Sequence, residues 1–122
     1  MTVYEKLIAE YEDKIEIEER KMKNVALYGD GIIWLNKDLT NSAKAAILAE
    51  EIGHYETTVG DILDQHSIEN MKQEYRARKW ALDKILPFER VLDAVRHGYY
   101  EPYEIADYLD VDEILVREAL MR

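Results

Sequence analysis

The chain has no cysteine, only one phenylalanine, and no long apolar run. Without cysteine, disulfides and thiolate metal sites are excluded. No stretch approaches the roughly 20 apolar residues of a membrane span, so no transmembrane helix is expected. The N-terminus, with Tyr4, Glu5 and Lys6, is charged where a signal peptide would be apolar, so a cytoplasmic protein is expected. Basic charge is scarce: 16 Lys and Arg stand against 26 Asp and Glu, a net charge of −10. That balance argues against direct nucleic-acid binding, which needs basic surface for the phosphates. What is present is a 48% apolar chain, rich in tyrosine, with charges of mixed sign. This composition opposes global disorder, and 122 residues suit a single domain spanning 1–122.

Apolar periodicity divides the chain. Thr2 and Glu5 form a capping-box pattern, and Tyr4, Leu7, Ile8, Tyr11, Ile15 and Met22 recur at helical spacing, predicting a helix over 3–22. Val25–Tyr28, a Gly29-Asp30-Gly31 turn and Ile32–Leu35 read as a β-hairpin, which must pack on helices to be stable. Thr40 or Asn41 can cap the next helix, and Thr57 to Gln65 reads as a loop. Ser67 is placed to cap a third helix running to about Leu86, stopped by Pro87. A fourth runs from Arg90 to His97 before Gly98, and short helices over Tyr103–Leu109 and Asp112–Leu120 fill residues 99–122. The expected class is α+β, mainly helical, with a small hairpin or sheet beside the second helix.

That second helix carries the most informative residues, Ile47-Leu-Ala-Glu-Glu-Ile-Gly-His-Tyr55. They differ by one residue from a His-Glu-x-x-His zinc-peptidase motif. Glu51 and His54 hold the places of the catalytic glutamate and the second histidine, and Glu50 stands in place of the first histidine. At about 100° per residue, Glu50, Glu51 and His54 share one sector, while Ala45, Leu48, Ala49 and Ile52 form the opposite face. Taken alone, the pattern is most simply the solvated face of an amphipathic helix. Glu74, on the third helix, falls within the arc of Tyr75, Ala77, Ala81, Leu82 and Ile85, where a carboxylate needs a partner. Two partners are open to it: Arg78 one turn on, or a metal ion shared with the motif helix.

The last two helices have helix-turn-helix spacing, with Ala106, Leu109, Val111, Val116 and Leu120 as the expected core. From Gly98 onward, however, seven acidic residues face two arginines, the wrong sign for a DNA-reading helix. Packing, or a docking surface for a protein partner, is expected instead.

Taken together, the motif helix, the segment Thr57-Thr-Val-Gly-Asp-Ile and the run Gln73-Glu-Tyr-Arg-Ala-Arg-Lys-Trp-Ala up to Pro87 resemble the ImmA/IrrE family of metallopeptidases, many of them encoded in prophages and mobile elements. The similarity extends from about Tyr4 to Leu120. It implies a zincin-like domain in which His54 and Glu74 are metal ligands and Glu51 is the general base. The family's first ligand is a histidine and does not carry over; Glu50 stands in its place and can bind zinc through its carboxylate, with His66 and His97 as conceivable substitutes. Zinc is the implied ion, and the oxygen-rich ligand set brings manganese or another divalent ion into range. The implied activity is peptide hydrolysis, with a phage or mobile-element repressor of helix-turn-helix type as substrate or partner. A non-catalytic regulator on the same scaffold is the alternative.

Overall fold

The computed structural model describes residues 1–57 and 68–122, the side chains of 68–70 excepted. The loop expected after Thr57, the cap at Ser67 and the alternative ligand His66 lie outside the described residues. The first helix, α1 (Val3–Tyr11), starts at the Thr2/Glu5 capping box and buries Tyr4, Leu7 and Tyr11. It does not continue to residue 22 as periodicity suggested. The chain turns after Tyr11, whose carbonyl accepts from the amides of Lys14 and Ile15. Glu16–Arg20 then forms strand β1. Its glutamates favour helix locally, but pairing with a buried strand prevails, as tertiary context commonly overrides propensity.

Strands β2 (Ala26–Gly29) and β3 (Ile32–Asn36) form the expected hairpin. Its two-residue turn places Asp30 at φ 50° and Gly31 at φ 79°, the positive-φ pair that a tight hairpin requires. β3 is central, with β1 parallel on one side and β2 antiparallel on the other. Alternation puts Ile33 and Leu35 on the inner face, both fully buried.

Against that face lies α2 (Asn41–Thr57), its Ala45, Leu48, Ala49 and Ile52 buried as its pattern predicts. Thr40 caps it, its hydroxyl accepting from the Ala43 amide. Lys44 is buried as well, which the sequence did not suggest. Its Nζ donates to Glu19 Oε1 at 2.7 Å, and Tyr4 Oη donates to Glu19 Oε2 at 2.8 Å. This network joins α1, β1 and α2. It holds the Glu19 carboxyl below its ordinary range, chiefly through the Lys44 bond, and raises the Tyr4 phenol, chiefly through burial.

The remaining helices are α3 (Ile68–Ile85), α4 (Phe88–Arg96), α5 (Pro102–Leu109) and α6 (Glu113–Leu120). Pro87 separates α3 from α4, starting α4 two residues earlier than expected. Asp112 caps α6, accepting from the Ile114 amide. On α6 the buried face is Leu115, Val116 and Ala119, and Leu120 is exposed where core was expected. The stripe is rotated because α6 packs on α3 as well as on α5.

Candidate metal centre

The site is built where α2 meets α3. Gly53 makes the approach possible: a Cβ there would stand 2.5 Å from the Ala77 carbonyl oxygen. A glycine inside a helix costs about 1 kcal/mol relative to alanine, so its presence needs a packing reason, and the backbone of α3 supplies one. The close contact puts the polar face of α2 beside the N-terminal half of α3.

Glu50 and His54 rise from α2 on successive turns, and Glu74 meets them from α3. One ligand atom from each lies within 4.8 Å of the others. His54 Nε2 is 3.3 Å from Glu74 Oε2. Ligands at 2.0–2.2 Å around a tetrahedral zinc ion are separated by about 3.4 Å, so this pair already has the spacing of a shared coordination shell. A Glu50 carboxylate oxygen completes the group within that 4.8 Å.

Two expectations about Glu74 change. It lies half-exposed, not on the buried stripe, which begins only at Ala77; Met71 and Tyr75 are exposed as well. Its ion-pair partner is His54, not Arg78. The Arg78 guanidinium instead reaches across to α2, with Nη2 3.8 Å from Glu50 Oε1. The wheel placed Glu74 correctly by angle, but α3 extends past the core at that end.

Glu51 is part-buried next to this cluster. Desolvation pushes its carboxyl above the ordinary range, opposed by His54 and reinforced by the negative charges of Glu50 and Glu74. His97 is elsewhere: it caps α4, with Nδ1 2.8 Å from the Asp93 carbonyl oxygen and its ring against Tyr108. Between α2, α3 and α6 a cavity of about 250 Å³ adjoins the cluster, with Ile47, Glu50, Arg78, Ala81 and Leu115 in its walls.

The profile of the IrrE N-terminal-like domain, peptidase family M78, matches residues 3–121. The chain belongs to that family. The M78 family is metal-dependent, in keeping with the Glu50, His54 and Glu74 group. Among solved structures, a Mycobacterium tuberculosis transcriptional regulator shares the fold, with a TM-score of 0.74 at 16% identity over 97% of this chain. This M78 chain spans 40% of the length of that regulator. No curated protein matches it. Among the described residues no helix is long and apolar enough to cross a membrane.

At this site, sequence reasoning missed the role of Gly53 and the partner of Arg78. A glycine one residue before the site histidine was the available signal for the first. The second depends on how two helices are rotated against each other, which no local pattern encodes.

Proposed function

We propose that this M78 domain is a metal-dependent peptidase in which Glu50, His54 and Glu74 hold one divalent ion and Glu51 is the general base. The observation that carries the reading is the convergence of those three side chains from two helices, with a desolvated carboxylate alongside. The donor set, two carboxylates and one imidazole, suits zinc or manganese. A bound ion supplies Lewis acidity toward water and the peptide carbonyl. Glu51 takes the proton of the attacking water and delivers it to the leaving amine, and its raised proton affinity suits that exchange. The α2–α3 contact at Gly53 keeps acid–base group and ligands in fixed relation.

The substrate class we propose is a helix-turn-helix repressor in the cytoplasm. The acidic surface, net −10, complements the basic face with which such a protein grips DNA. A protein described as a transcriptional regulator carries the same fold in part of its length, which fits a regulatory setting.

A second reading, a non-catalytic regulator on this scaffold, has one observation in its favour: a cation already stands at Glu50. Glu51→Gln separates the two. The peptidase reading expects unchanged fold and metal binding with proteolysis reduced roughly 10²- to 10⁴-fold, the usual worth of a general base. Full relief of repression in cells by the Gln variant would overturn it in favour of the regulator.

A further inference from the structure

Glu50 faces two cations, the Arg78 guanidinium in the structure and the ion of the proposed site. We propose that Arg78 is a counter-charge that lowers the site's affinity for divalent ions several-fold. This rests on the metal-site reading above.

The placement of Arg78 follows from α3. It lies one turn beyond Glu74, so the same helix presents a ligand and an opposing cation to the cluster. Ala77, between them, is buried against Gly53 and fixes both in register. The contact itself is loose: 3.8 Å exceeds the 2.7–2.9 Å of a charge-assisted hydrogen bond. The Arg78 and Glu50 side chains are 58% and 35% exposed. A pair so solvated does not lock the carboxylate in a ligand orientation, and what remains is charge.

The signs then determine the effect. Glu50 and Glu74 attract a dication, and Arg78 repels it. At about 6 Å in a water-like medium, one guanidinium weakens dication binding about tenfold, and physiological salt reduces this to about three- to fivefold. An orienting role would give the opposite sign, because outer partners that hold a ligand in place strengthen binding.

The experiment is zinc titration by calorimetry into the wild-type chain and Arg78→Lys, Arg78→Gln and Arg78→Glu, at low and high salt. The expected order of affinity is wild type and Lys together, then Gln about three- to tenfold tighter, then Glu tighter still. The spread should narrow at high salt. A merely structural role would follow side-chain shape, separating Lys from Arg, and would not rank with charge. Weaker or unchanged binding by the Gln variant, with the wild type binding zinc, overturns the proposal and leaves the metal site standing. Failure of all four chains to bind zinc overturns both.

Discussion

The α2–α3 pair and the α5–α6 pair solve the same packing problem with opposite use of polar groups. In α5–α6, the caps and the charged pair form within a turn of themselves, although Tyr108 reaches out to Asp93 on α4. Glu101 and Glu104 form a capping box, Asp112 caps α6, and Arg117 meets Glu113 four residues away. In α2–α3, the polar contacts cross between helices: His54 to Glu74, and Glu50 to Arg78. The first arrangement stabilises local structure whatever the neighbours do. The second depends on two helices being held at close range by a residue with no side chain. In α2–α3 the groups so placed are the ones proposed to hold the ion.

Gly53→Ala should break this difference with the largest effect. The added methyl meets backbone, which cannot rotate aside, so α2 and α3 must separate. Overpacking of this kind costs about 1–3 kcal/mol, exceeding the roughly 1 kcal/mol that alanine contributes to helix propensity. Urea denaturation should show the loss, and a variant more stable than wild type would contradict the close-approach role. Because the helices part, His54 and Glu74 should also lose their shared spacing.

Asp112→Ala removes the α6 cap of the C-terminal pair. Loss of the cap should cost about 1 kcal/mol, read from the same denaturation curves. Metal binding should remain unchanged, since the Glu50, His54 and Glu74 group does not include Asp112. A change in metal affinity as large as that from Gly53→Ala would erase the distinction between the two regions.

The smallest effect concerns the Lys44 network that anchors α2. The Glu19 carboxyl is held below its ordinary range in the folded chain, first by the Lys44 hydrogen bond. Its contribution is therefore complete above the unfolded value near 4.3 and is lost as pH falls through the lower folded value. With the Glu19 side chain 38% exposed, solvent screening keeps this under about 1 kcal/mol. Glu19→Gln should flatten the fall in melting temperature below about pH 4.5. An equally steep fall in the variant would assign that acid sensitivity to other carboxylates.

These regions also differ in how far they could be read from sequence. Helix ends and turns were legible wherever a side chain acts on its own neighbourhood: Thr2, Thr40, Pro87 and Asp112 all stand where their chemistry places them. The motif helix was legible too, because Leu48 and Ile52 on one face leave Glu50, Glu51 and His54 on the other. β1 was not legible, since Glu16 to Arg20 favours helix until β3 is there to pair with it. Lys44 was hidden for the same reason: its burial is compensated by Glu19, 25 residues earlier. The ligand geometry was half legible. Spacing put Glu50 and His54 together, but only the packing of Gly53 on Ala77 brings in Glu74 and sends Arg78 to Glu50.

Stoichiometric metal binding is the most direct measurement. Calorimetric titration of zinc into the wild-type chain, His54→Ala and Glu74→Gln should give one ion per wild-type chain. Affinity should fall by at least about 100-fold in His54→Ala and about 10-fold or more in Glu74→Gln, since each loses a coordinating ligand. His97→Ala, measured alongside, should bind as wild type does. Equal binding by the wild type and His54→Ala, or no binding by the wild type, would contradict a metal centre at Glu50, His54 and Glu74.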